Sequence, residues 1–291
     1  MGSLLGVLAL SALGLTYWSN VKEREHYLQS RNFRLLAVLA SRTENLLANR
    51  ARIFHDIVVG QTTQSGETSE RWLETVTQRL REAGTNENGL NLSVPEVTAN
   101  LSARQVRAGL VRSEMRASAH GSALRLEWPL SESPAAVLGL RIPADTALGA
   151  LFESRVRQGA FDTVALATSD GTVVYAAGRR AGQLRATSLA AVVPSSTSEG
   201  GGGFGRYAST IADVDVRLAG AAYRMFMQPC CRFGSDAGHG LVVVGLADAD
   251  ALYVASLAIS PVLVLGGVCF VLAAFAAGRS SRWPSWAHGS A

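Results

Sequence analysis

The stretch FDTVALATSDGTVVYAAG, Phe161 to Gly178, decides the fold. It holds two short runs rich in β-branched and small apolar residues, Thr163 to Thr168 and Thr172 to Ala177, on either side of Asp170-Gly171. Asp-Gly between two such runs predicts a β-hairpin, because both residues tolerate the backbone angles of a tight turn. Working outward, Val214 to Ala219 and Ala222 to Gln228 flank Gly220-Ala221 as a second hairpin, and Leu241 to Ala247 reads as a fifth strand. Just upstream, Asp145 is placed to cap a helix running to about Gln158. Helix, hairpin, long connection, hairpin, strand is the order of an antiparallel sheet carrying helices, and the fold class is α+β.

Further upstream the pattern continues with less force. Ala123 to Leu130 alternates, with Leu124, Leu126 and Trp128 on one face, and Leu138, Leu140 and Ile142 repeat the alternation. Asn86 to Asn100 reads as a loop, Gly60 to Ser69 as a turn, and Thr68 with Arg71 to Leu80 as a helix ending near Gly84. Between Lys22 and Val59 the apolar residues Leu28, Leu35, Leu39, Leu46, Ile53 and Ile57 share one narrow helical arc, widened by Leu36, Leu47 and Phe54. This predicts one amphipathic helix of about 50 Å. The run PSSTSEGGGGFGRYAS, Pro194 to Ser209, has the composition of a flexible linker or a loop that closes over a ligand.

The two ends are apolar. No charged side chain occurs from Met1 to Val21 or from Ala251 to Gly278, and the second run exceeds the roughly 20 residues that a membrane-crossing helix requires. Both are predicted membrane spans. The first has an alternative reading as a secretory signal, with Ala12 and Gly14 as a small-x-small cleavage site. The missing basic start, and Tyr17 and Trp18 followed by Lys22 and Arg24, favour an uncleaved anchor. Arg279 and Arg282 after the second span suit a cytoplasmic end, which puts the large central domain outside the cytoplasm.

A formal net charge of +4 is modest and scattered, without the basic stripe and stacking aromatics of a nucleic-acid surface. Gly200, Gly202 and Gly205 satisfy GxGxxG, but a Ser-rich run precedes them instead of a strand, so a nucleotide site is not supported. His26, His55, His120, His239 and His288 are dispersed without ligand spacing, and neither a metal nor a cofactor is expected. Asp248 and Asp250 stand before the second span, where helix capping explains them. Asn91 and Asn100 open glycosylation sequons that matter only in a eukaryotic secretory pathway. Cys230 and Cys231 are adjacent and can pair with each other or with a second chain, although two unpaired, partly buried thiols are the simpler expectation. No nucleophile, base and orienting group assemble from spacing, so no enzymatic activity is expected.

The phrase Phe161 to Gly178, the hairpin VRLAGAAYRMFMQP at Val216 to Pro229, and LVVVGLADAD at Leu241 to Asp250 running into an apolar helix together resemble the Cache family. These are PAS-like extracytoplasmic sensor domains of bacterial membrane receptors. The resemblance is good from about Asp145 to Ala277 and weaker from Gly60 to Ile142, where it implies a degenerate second lobe in a tandem arrangement. It divides the chain into a first span (1–21), a long signalling helix (22–59), a membrane-distal lobe (60–142), a membrane-proximal Cache domain (143–250), a second span (251–278) and a short tail (279–291). It also implies a bacterial inner-membrane protein, a small ligand such as an amino acid, organic acid or amine, lipid contact, and a homodimer. The pattern that marks amino-acid-binding members is missing, and the usual kinase or cyclase output does not follow the second span. That makes a truncated chain, or lateral signalling to another membrane protein, the expectation. Trp128, Tyr175, Tyr207, Arg217 and Tyr223, near the strands and the glycine-rich run, are the candidate ligand contacts. A protein-binding scaffold on the same fold is the alternative function.

Overall fold

The computed structural model describes residues 2–60, 69–84, 94–97, 103–110, 116–130, 137–193, 204, 210–231, 240–257 and 266–269. The chain divides into two compact units, Arg31–Ala249 and Met1–Ser30 with Asp250–Ala291.

Within Arg31–Ala249 lie two antiparallel sheets. The first is built from β1 (Val94–Val97), β2 (Arg116–His120), β3 (Ala123–Pro129) and β4 (Val137–Pro143), in the order β1-β4-β3-β2. The second uses β5 (Thr163–Thr168), β6 (Val173–Gly178), β7 (Ala212–Leu218), β8 (Ala221–Cys230) and β9 (Leu241–Asp248), in the order β6-β5-β9-β8-β7. All five strands downstream of Gly159 match the sequence reading to within two residues at each end. The last strand in sequence is thus the central strand of its sheet, and every residue from Leu241 to Ala247 is buried. Its Val-rich run with little alternation is what burial on both faces demands.

The helices are α1 (Gly2–Gly60), α2 (Ser69–Gly84), α3 (Ala103–Leu110), α4 (Ala144–Arg157), α5 (Ala181–Ala186), α6 (Leu189–Val192) and α7 (Ala249–Leu257). The buried face of α1 is rotated from the expected arc. Leu36, Leu39, Leu47, Phe54 and Val58 are fully buried, whereas Leu35, Leu46, Ile53 and Ile57 are half-buried. Apolar pairs at 35/36, 46/47 and 53/54 write two overlapping stripes, and packing selects the one through Leu36, Leu47 and Phe54. The same helix serves both sheets: Phe33 meets Phe226 of β8 edge-on at 5.2 Å, and Phe54 lies 5.1 Å from Trp128 of β3.

Four local expectations are corrected. Asp145 does not cap α4. Pro143 takes that position with φ −58° and no side-chain cap, and Asp145 falls in the first turn, where its charge suits the helix dipole. The turn between β7 and β8 is Ala219-Gly220, one residue earlier than expected, and both residues have positive φ, 50° and 81°, as a two-residue hairpin turn requires. Part of the stretch read as a loop, Val94–Val97, is an edge strand paired with β4, a place where Pro95 costs no ladder bond on its outer side. Cys230 and Cys231 are not unpaired thiols: both are buried and their sulfurs pair as a disulfide. Cys231 takes a left-handed φ of 57° as the chain leaves β8, which lets two neighbouring side chains turn toward each other.

The segment Met1–Ser30 is helical from Gly2, and Asp250–Ala291 begins with the body of α7. Among the described residues no helix is long and apolar enough to cross a membrane. Most of the expected second span lies outside the described residues. Those described in this unit include large apolar side chains left exposed: Leu15, Trp18, Tyr253, Val254 and Val268.

Candidate functional site

The polar groups of the second sheet gather where β5 begins and β6 and β9 end. Gly178 closes β6 with φ +115°, an angle open to glycine, and a Cβ there would collide with the Asp162 carbonyl oxygen. That close approach lets the Arg179 amide donate to Asp162 O at 3.0 Å and the Arg180 amide donate to the buried Thr163 Oγ1 at 2.9 Å. Two arginines are thereby delivered to one corner.

Arg180 Nε donates to the Tyr223 hydroxyl at 2.9 Å, and its guanidinium lies 6.0 Å from that ring's centroid. Arg179 Nη2 stands 3.8 Å from Asp162 Oδ2 and 3.7 Å from Asp248 Oδ2. The Tyr223 hydroxyl first, and then the Asp162 carboxylate, hold the Arg179 guanidinium above its ordinary pKa. Tyr223 is fully buried and pairs across the ladder with Asp248. The corner therefore carries two cations, two anions and one phenol, at the residue before α7. Such a set can take both ends of a zwitterion, the guanidinium groups a carboxylate and the aspartates an ammonium.

The expected contact residues do not assemble into one site. Tyr223 belongs to an apolar cluster with Leu184, Leu189, Val193 and Phe204, and Phe204 is buried; the rest of the glycine-rich run lies outside the described residues. Tyr175 pairs with Leu166, which pairs with Val243, which pairs with Gln228, and this carries it to the opposite face from Tyr223. There it packs edge-on against Phe152 of α4 at 5.6 Å and beneath the Arg185 guanidinium at 5.2 Å. Burial, and then repulsion from Glu153, raise its pKa. Trp128 is core of the first sheet against Phe54, and Arg217 is exposed on the edge strand β7. Tyr207 lies outside the described residues.

Sequence reading missed Asp162, Arg179 and Arg180. The signal was the Gly-Arg-Arg that ends β6: two consecutive arginines just after a strand-ending glycine. Asp248, read as a helix cap, does precede α7 and also faces Arg179.

No protein-family model matches the chain, and no curated protein does. Among solved structures it is similar to the ligand-binding domain of the Pseudomonas aeruginosa amino acid chemoreceptor PctB in complex with L-Arg. Identity is 15%, the TM-score is 0.44, and the match covers 79% of this chain and 89% of that one. It is also similar to the periplasmic sensory domain of the Campylobacter jejuni chemoreceptor Tlp1, at 11% identity and TM-score 0.47, over 77% of this chain and 96% of that one. A third is the ligand-binding domain of the Pseudomonas fluorescens chemoreceptor CtaA in complex with L-isoleucine, at 12% identity and TM-score 0.44, over 80% and 95%. These three neighbours are ligand-binding or sensory domains of chemoreceptors.

Proposed function

We propose that the chain is a membrane-anchored extracytoplasmic sensor that binds a small ligand and passes a conformational change toward its terminal helices. The observation that carries the reading is the corner of Asp162, Arg179, Arg180, Tyr223 and Asp248, set at the end of the central strand and one residue before α7. A ligand with a carboxylate and an amine would replace contacts these groups now make among themselves. It would shift the equilibrium of the sheet by its differential affinity for two states, and β9 would carry the shift to α7.

Anchoring is supported by the charge-free ends and by the exposed Leu15, Trp18, Tyr253, Val254 and Val268, which suit lipid and not water. Lys22 sits 5.7 Å over the Trp18 ring, the pairing expected at a membrane interface. The two sheets on one helix support a tandem arrangement, and the half-buried Leu35, Leu46 and Ile53 support a homodimer through α1. The placement is a bacterial inner membrane with the sheets outside. The absence of a catalytic constellation in the sequence supports a non-enzymatic role.

The test is a thermal-shift screen of the full chain in detergent against amino acids, organic acids and amines, since a ligand raises stability by mass action. Stabilisation by an amino acid that is lost in Arg180→Gln, with the fold retained, is the expected result. A flat screen, together with capture of one extracytoplasmic protein, would overturn it in favour of the protein-binding scaffold.

A further inference from the structure

The adjacent cysteines at the end of β8 are unused by the reading above. Both are buried, Cys230 at 3% exposure and Cys231 at 2%, and their sulfurs pair. Cys230 stands opposite Leu241 at the start of the central strand, and its sulfur also lies 3.3 Å from the Ala40 carbonyl oxygen of α1. That second contact depends on oxidation state. A thiol carries a hydrogen to donate to Ala40 O, whereas a disulfide sulfur carries none.

We propose that Cys230 and Cys231 are a redox site, closing as a vicinal disulfide in exchange with a disulfide donor and reopening with a dithiol, and that the open form holds α1 more tightly. In the closing step one cysteine thiolate attacks the donor's S–S bond, which breaks, and a mixed disulfide forms while the first donor thiol leaves. The second thiolate then attacks the cysteine sulfur of that mixed disulfide, forming the ring and releasing the second donor thiol. Two electrons pass to the donor, and the two cysteine protons end on its thiols. The left-handed backbone at Cys231 puts the second sulfur within reach of the first, so resolution is intramolecular. Reduction restores the Cys230 S–H and with it the hydrogen bond to α1. The inference is independent of any ligand.

The experiment takes the purified full chain, treats it with oxidised glutathione or with dithiothreitol, removes the reagent, unfolds the chain and alkylates it. Cys269 is free and exposed and serves as the internal standard. The expected result is label on Cys269 alone after oxidation and on all three cysteines after reduction. Label on Cys230 and Cys231 after oxidation, a persistent glutathione adduct, or a disulfide between chains would overturn the ring. For the coupling, hydrogen exchange of the α1 peptide around Ala40 should slow about twofold on reduction in the native chain and show no reductant response in Cys230→Ser. Unchanged exchange in the native chain would overturn it.

Discussion

Gly245, in the middle of β9, shows how one residue sets the packing of the second sheet. A Cβ there would come within 2.6 Å of the Phe161 ring, which itself lies edge-on to Phe226 at 6.0 Å. Gly245→Ala should lower stability by about 1–3 kcal/mol by overpacking, read as a lower urea midpoint with an unchanged slope. Asp170 makes a second prediction. Hydrogen bonds from the Thr168 hydroxyl first, and then from the Thr172 amide, hold its pKa below the ordinary carboxylate value. A depressed folded pKa means stability that is present above the unfolded value of about 3.9 and lost as pH falls through the folded value. Asp170→Asn should therefore be less stable than the native chain at pH 6, and the gap should narrow below about pH 4 in unfolding curves. At this scale the sequence was partly legible. Tyr223 was singled out, but its partners Arg179 and Arg180 were not, because only the fold brings residues 43 positions apart into one corner.

Elements with strong local signals were read well. The hairpins β5–β6 and β7–β8 and the strand β9 announce themselves through turn residues and apolar runs, and the structure moved their ends by no more than two residues. The short pieces β1, β2, α3, α5 and α6 escaped, since runs of four to eight residues are held by tertiary partners and not by their own propensity. The Ala219-Gly220 turn keeps a residue with a Cβ at φ 50°. Ala219→Gly should raise stability by about 0.4–1 kcal/mol by relieving it, measured as a higher melting temperature. In α1 the half-period ambiguity decides which leucines matter. Leu47→Ala should cost about 2–5 kcal/mol and Leu46→Ala clearly less, and equal losses in denaturant titrations would reject the observed burial.

At the scale of the unit Arg31–Ala249, α1 contacts β8 through Phe33 and β3 through Phe54. The two sheets should accordingly lose protection together. Hydrogen exchange in rising denaturant is expected to give β3 and β9 the same unfolding midpoint, and two separated midpoints would mean that the sheets are independent. The α+β class and the long helix were legible as a whole because periodicity over tens of residues averages out local ambiguity. The division of labour between the sheets was not, because it rests on which face of α1 turns toward which strand.

The central strand has a mechanical consequence. β9 is hydrogen-bonded to β5 along six residues on one edge and to β8 along eight on the other, and the chain leaves it directly into α7. A pull along its axis loads both ladders in shear, so many bonds share the force at once instead of parting one by one as in a peeling edge strand. Held on both edges, β9 resists such a pull along its length, as β8 does with seven pairs to β7 and eight to β9, whereas the edge strands β6 and β7 have a partner on one side only and would yield first.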